Sequence, residues 1–240
     1  RRCHSVRSIV FVTSDKCYEN QEWSFGYRET DPMGGHDPYS ASKGAAELLI
    51  QSYRSAFFVP EGRIQAASVR AGNVIGGGDW AEDRIVPDCI RALTSNDAIQ
   101  IRNPSARRPW QHVLEPLGGY LLVAEHLMSE RGENFAQGWN FGPTLASNRP
   151  VQDLVDCLIG SWGSGRFEAP EQSQKVHEAN LLHLNCDQAG HRLNWHPLLT
   201  FEQTIDWTAQ WYQRWAKQAD MISYTQHQIQ SYQDMVSRTL

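Results

Sequence analysis

The chain has 240 residues, 40% of them hydrophobic, 10% aromatic and 20% charged. That length suffices for one large core or two coupled domains, and the balance excludes disordered, collagen-like and coiled-coil architectures. Its formal charge of −5 comes from 22 basic and 27 acidic residues with no long run of either sign, so it lacks the basic footprint of a nucleic-acid-binding protein. Five cysteines (Cys3, Cys17, Cys89, Cys157 and Cys186) are an odd number with no C-x-x-C pair, which argues against a disulfide framework or a clustered zinc site. No stretch is apolar over a bilayer's thickness and the first residues hold no signal-peptide core. The expected setting is therefore cytoplasmic, away from membranes and with reduced thiols.

Ser8 to Ser14 is an apolar, β-branched run, the pattern of a parallel strand buried between two neighbours. Few residues precede it and there is no initiating Met, so the chain is expected to be the later part of a longer protein. Asp37 as N-cap and Pro38 at the first helical position open a helix from Tyr39 to about Phe58. Ala45, Leu48, Leu49, Ser52, Tyr53 and Phe57 form its expected buried face. After the break at Pro60-Glu61-Gly62, Arg63 to Val69 reads as a second strand, completing a βαβ unit. A glycine-rich turn follows from Gly72 to Trp80, then an amphipathic segment from Val86 to Leu93, a short strand at Trp110–Val113, a helix over Leu117–Met128 and a strand at Gly138–Gly142. Beyond Pro150 the pattern predicts a helix over Val151–Ile159, a loop at Ser161–Gly165 and a short strand at Leu181–Asn185. A last helix over Phe201–Ala216 carries Trp207, Trp211 and Trp215 as a buried packing stripe, and 218–240 reads as a peripheral helix or frayed tail. Strand and helix alternate, which indicates an α/β fold, and there is no internal repeat.

Two groups of residues could carry chemistry. Tyr39 and Lys43 are four apart on the predicted helix and therefore share a face, where the ammonium can stabilise the phenolate and make the phenol a usable base. Ser14, Asp15 and Lys16 sit where the first strand ends, the edge at which α/β sheets hold ligands. Ser14 can hydrogen-bond a hydroxyl, and Asp15 with Lys16 forms a donor and acceptor pair of opposite charge. The glycines at 76–78 are no P-loop, since no Gly-Lys-Ser/Thr follows. His4, His36, His112 and His126 have no metal spacing, and Glu19 and Glu22 read as solvent-facing.

The strings Val12-Thr-Ser-Asp-Lys-Cys-Tyr18, Gly26-Tyr-Arg-Glu29, Asp31-Pro-Met-Gly-Gly35, Asp37-Pro-Tyr-Ser-Ala-Ser-Lys43 and Arg108-Pro-Trp-Gln-His-Val-Leu-Glu-Pro116 are specific. From about residue 6 to about residue 216 the chain resembles the CDP-sugar branch of the sugar-nucleotide 4,6-dehydratases, within the extended short-chain dehydrogenase/reductase family. This resemblance implies a Rossmann-like doubly wound parallel sheet, incomplete in its N-terminal half, with a smaller mixed α/β substrate domain. Residues 1–75 and 111–142 would form the end of a dinucleotide-binding domain, 76–110 and 143–217 the substrate domain, and 218–240 a peripheral element.

The implied activity is an NAD-dependent conversion of CDP-glucose to CDP-4-keto-6-deoxyglucose in a homo-oligomer. Tyr39 with Lys43 would act on the 4-hydroxyl, Ser14 would orient it, and Asp15 would protonate the departing 6-hydroxyl. Lys16 stands where the dTDP-glucose enzymes carry Glu; it would be the carbon-5 base or would stabilise the enolate, and the sequence leaves both open. Tyr39, Lys43 and the Val74 backbone would meet the cofactor. Asn73, Arg84, Arg108 and the pair His177-Glu178 would meet the sugar nucleotide, Arg108 through its planar fork on the diphosphate.

The family's glycine fingerprint for the dinucleotide pyrophosphate occurs nowhere in the 240 residues: either it lies upstream, or the chain is a truncated product without a cradle for the cofactor. Another sugar-nucleotide dehydratase or epimerase, or an inactive sugar-nucleotide-binding fragment, are the competing readings.

Overall fold

A computed structural model describes residues 3–169 and 182–239. In chain order it has β1 (Ser8–Val12), α1 (Pro38–Tyr53), a wider π-type turn at Arg54–Phe58 and the single turn α2 (Val59–Glu61). These are followed by β2 (Gln65–Ala71), β3 (Val74–Ile75), α3 (Ile85–Ser95), β4 (Ile99–Gln100), β5 (Arg107–Pro109) and β6 (Gln111–His112). Then come α4 (Leu114–Leu127), β7 (Gly138–Phe141), β8 (Asn148–Pro150), α5 (Val151–Trp162), β9 (Phe167–Glu168), α6 (Asp187–Leu193), α7 (Phe201–Ala216) and α8 (Met221–Thr239). The predicted tail is thus a full helix, and α5 runs three residues past its expected end. At the predicted Leu181–Asn185 strand the described residues form only a bridge between Leu184 and Tyr27, and Leu181 lies outside them.

The chain divides into two compact units. The first comprises the described residues of Arg1–Gly72, Glu115–Gly142 and Leu181–Pro197. Its sheet is parallel in the order β1-β2-β7, with Val10 opposite Ala67 and Val69 opposite Trp139. Central β2 is buried almost throughout because it is paired on both edges. Among the described residues β1 pairs only with β2; Ser8–Phe11 are half-buried and Val12 is exposed. One face of the sheet packs Ala67, Val69, Trp139 and Phe141 against Val123 and Leu127 of α4 and Ala189, Leu193 and Trp195. This packing draws the segment from Leu182 to Pro197 into the first unit, where the resemblance had placed it in the substrate domain. The Tyr27–Leu184 bridge and a hydrogen bond from the Gly142 N–H to Cys186 Sγ (3.0 Å) hold it there.

The opposite face meets α1, and here the expected burial is inverted. Leu48, Leu49 and Tyr53 are exposed, as are Ala45 and Ser52, and Phe57 is half-buried; the buried residues of α1 are Ser40, Gly44 and Glu47. Gly44 allows this: a Cβ there would press on the Gly34 nitrogen and the Cys17 carbonyl, so the missing side chain lets α1 approach the loop beneath it. Glu47 can be buried because Arg70 on β2 neutralises it.

The second unit holds the described residues of Asn73–Leu114, Pro143–Asn180 and Leu198–Leu240. Residues 111–114 therefore belong here, since β6 pairs in parallel with β3. Its core joins Ile90 and Leu93 of α3, Trp110, Leu154 and Leu158 of α5, and Phe201, Ile205 and Tyr212 of α7. The tryptophans of α7 were expected to form the buried stripe, but Phe201, Thr204, Ile205, Thr208, Ala209 and Tyr212 occupy it. Trp207 and Trp211 are half-buried and Trp215 is exposed. Trp211 lies over Gly77, where any Cβ would overlap its ring, and Trp215 packs on Trp80.

Candidate active site

The strand-end tripeptide is ordered by its own side chains. Ser14, extended at the end of β1, caps a 3-10 turn over Asp15–Cys17: its Oγ accepts from the Lys16 N–H (3.2 Å) and donates to Asp15 Oδ1 (3.0 Å). Asp15 is 4% exposed, and Lys16 is half-buried. The α1 start obeys the capping chemistry read from the sequence, with Asp37 accepting from the Ser40 N–H (3.0 Å) and Oγ (2.6 Å). Those two bonds, helped by the charge of Lys16, hold the Asp37 carboxyl below its ordinary range.

Tyr39 stands in the first turn of α1, exposed, with Lys43 Nζ 5.6 Å from its ring centroid. Among the described residues neither the Tyr39 hydroxyl nor the Lys43 ammonium has a hydrogen-bond or ion-pair partner. The next residue, Gly44, packs on the Cys17 carbonyl at the end of the 3-10 turn. Thus one unit brings Tyr39, Lys43, Ser14, Asp15 and Lys16 to one end of its sheet. Tyr120 of α4, not singled out from sequence, joins this neighbourhood: burial first, then the charge of Asp15, push its phenol up.

Beneath α1 runs a buried polar network that sequence reading missed. Arg70 donates to Glu47 through Nε (2.9 Å) and Nη2 (2.7 Å) and to the Tyr18 hydroxyl (2.6 Å), which in turn donates to Asn140 Oδ1 (2.8 Å). Glu47 also accepts from the hydroxyls of Ser68 (2.7 Å) and Thr13. Burial alone would raise the Glu47 carboxyl, but the Arg70 hydrogen bonds and charge, with those hydroxyls, hold it below its usual range. The network borders a cleft of about 180 Å³ lined by Glu29, Glu47, Arg54, Arg70 and Gln137 among others. One signal was available: Glu47 follows Lys43 by four residues and so shares its stripe.

The remaining predicted contacts lie in the second unit. The Asn73 carbonyl accepts from the Gln111 N–H (3.1 Å), and Val74 pairs opposite Gln111. Arg108 is half-buried on β5, opposite Arg149. Arg84 is exposed and its charge is already matched by Asp79 at 3.0 Å. His177 and Glu178 lie outside the described residues.

His112 is 2% exposed and its Nδ1 accepts from the Leu114 N–H (3.3 Å); burial lowers its pKa to about 4. A folded value below the ordinary 6.5 means the unfolded chain binds more protons between those limits. Its contribution to stability is thus complete above pH 6.5 and lost as the pH falls to about 4. In the complete protein, His112→Gln is expected to remove about 3 kcal/mol of that pH dependence. Urea unfolding at pH 7 and pH 4.5 measures it, and an unchanged slope with pH would discard the buried neutral imidazole as its source.

A sequence profile described as the NAD dependent epimerase/dehydratase family matches residues 1–138. A CDP-glucose 4,6-dehydratase from Salmonella typhimurium is 44% identical over 238 residues, covering 98% of this chain and 66% of that protein. A dTDP-glucose 4,6-dehydratase from Streptomyces antibioticus is 28% identical over 217 residues, with 87% and 58% covered. The chain thus spans somewhat under two thirds of the length of these relatives. Among solved structures, dTDP-glucose 4,6-dehydratase from Bacillus anthracis in complex with NAD superimposes with a TM-score of 0.68 at 19% identity, covering 85% of this chain and 61% of that one. UDP-glucuronic acid 4-epimerase from Bacillus cereus, in complex with UDP-glucuronic acid and NAD, gives 0.72 at 14%, with 89% and 64% covered. These likenesses bear out the expected Rossmann-like fold. With more than half of its length matched by the profile, the chain belongs to the NAD dependent epimerase/dehydratase family.

Proposed function

We propose that the complete protein converts CDP-glucose to CDP-4-keto-6-deoxyglucose and water. The observation that carries this reading is the packing of the Ser14-Asp15-Lys16 turn against the helix of Tyr39 and Lys43, supported by the 44% identity to a CDP-glucose 4,6-dehydratase. An epimerase has no leaving hydroxyl to protonate, whereas Asp15, buried at the strand end, would serve as the acid for one.

Tyr39 takes the proton of the sugar 4-hydroxyl, Lys43 stabilises the phenolate, and Ser14 orients that hydroxyl. The 4-ketone acidifies carbon 5; Lys16 accepts that proton and later returns it to carbon 5, while Asp15 protonates the departing 6-oxygen and water is lost. The exposed Tyr39 hydroxyl and the Lys43 ammonium are donors of the kind the ribose hydroxyls of NAD require, and these two with the Val74 backbone would hold it. When bound, NAD supplies a reversible two-electron acceptor, so the sugar is oxidised at carbon 4 and reduced at carbon 6 with no net consumption. Asn73, Arg84, Arg108, His177 and Glu178 are proposed contacts of the sugar nucleotide, in a homo-oligomer within the cytoplasm.

The test is incubation of the full-length protein with CDP-glucose and catalytic NAD, followed by mass and proton spectra of the product. Loss of one water with a new carbon-6 methyl is expected. A product of unchanged mass and inverted stereochemistry would assign an epimerase instead.

A further inference from the structure

Thr13 immediately precedes Ser14, and Glu47 lies one helical turn beyond Lys43 and two beyond Tyr39. Glu47 is 4% exposed, and its carboxylate is held from two directions. Ser68 and Arg70, both on β2, fix it to the sheet at 2.7–2.9 Å. Among the described residues the Thr13 hydroxyl is its remaining donor and the one that comes from the end of β1. Thr13 is itself anchored, its N–H donating to the Val69 carbonyl at 2.9 Å.

We propose that Thr13 and Glu47 are positioning residues: their hydrogen bond ties the Ser14–Lys16 turn to the helix bearing Tyr39 and Lys43, so that groups acting at carbon 4 and groups acting at carbons 5 and 6 address a single hexose. The inference rests on the dehydration reading given above. Arg70 keeps its full set of partners when the Thr13 hydroxyl is removed, so the tether can be cut without stranding a buried charge. Its loss misplaces one catalytic group relative to another while each group survives, a defect to which rates respond steeply.

The experiment compares Thr13→Val, which keeps the shape and loses the hydroxyl, with Thr13→Ser, which keeps the hydroxyl, in the full-length protein. Amide hydrogen exchange of the free protein is the first readout: Thr13→Val should speed exchange at Lys16 and Cys17, and Thr13→Ser should not. The second is kinetic. Thr13→Val should lower kcat for CDP-glucose by about tenfold to a hundredfold with KM within about twofold, and Thr13→Ser should restore it.

The third readout separates positioning from general loosening. Elimination should slow more than oxidation, so the steady-state absorbance of reduced cofactor rises in Thr13→Val, whereas a merely weakened fold depresses both steps together. Unchanged exchange in Thr13→Val overturns the tether whatever the substrate is. Equal impairment by Val and Ser, or lost turnover with no rise in reduced cofactor, overturns the positioning role. Faster exchange at Lys16 and Cys17 in a protein whose wild type leaves CDP-glucose untouched would support the tether and reject the dehydratase reading.

Discussion

Tyr39→Phe in the complete protein is expected to lower CDP-glucose turnover by about 10²- to 10⁴-fold while leaving the Kd for the sugar nucleotide within about twofold. The substitution removes one oxygen from an exposed ring that has no hydrogen-bond partner for it among the described residues, so packing and stability should hardly change. What it removes is the acceptor for the 4-hydroxyl proton, and in the proposed mechanism neither Lys43 nor Asp15 acts as a base at that oxygen. Titration calorimetry with CDP-glucose and single-turnover product analysis make the test. Turnover within a few-fold of wild type would take Tyr39 out of the role, and a parallel loss of binding would recast it as a recognition residue.

The second large effect concerns stability. Arg70→Met leaves Glu47 buried without its counter-ion, a change expected to cost about 3–5 kcal/mol, while Glu47→Met combined with Arg70→Met should recover much of it because two apolar side chains replace the pair. The pH dependence should also change sign. In the wild type the Glu47 carboxyl is held below its ordinary value, so its contribution is present above the unfolded pKa and disappears as the pH falls through the folded one. Without Arg70 the same burial raises the carboxyl, and protonation then relieves the fold. The stability gap between wild type and Arg70→Met should therefore narrow from pH 7 toward pH 4. Urea midpoints at both pH values, at constant slope, decide it; a gap that stays constant or widens would show that Glu47 is not the group left stranded.

Much of the site could be read from local chemistry. Asp37 and Pro38 as the opening of a helix and the one-turn spacing of Tyr39 and Lys43 depend on neighbours within four residues, and each appears where the pattern placed it; the capping of the 3-10 turn by Ser14 is equally local but was not read from the sequence. The network behind them was not legible in this way. Thr13, Glu47, Ser68, Arg70, Tyr18 and Asn140 are joined by hydrogen bonds that span up to 122 positions, and nothing in their local spacing says they meet.

Residue order along the chain was enough to mark the starts of β1, α1, β2, α3, β6, α4, β7, α5 and α7 to within a few residues, and to show that the architecture alternates between strand and helix and which side chains could act together on one helix face; α6 and the short strands β4, β5, β8 and β9 were not read from it. Which face of α1 turns inward was a tertiary decision. Periodicity marks a stripe of Leu48, Leu49 and Tyr53 as apolar, but burial depends on what lies opposite. Opposite α1 stand the Cys17 carbonyl, which requires a residue without a side chain, and the Arg70 guanidinium, which requires a carboxylate; Gly44 and Glu47 satisfy both, so the polar stripe is the one that packs. The same holds for Leu182–Pro197, whose place in the first unit is fixed by Tyr27, Gly142 and the Trp139 core, partners that no local window contains.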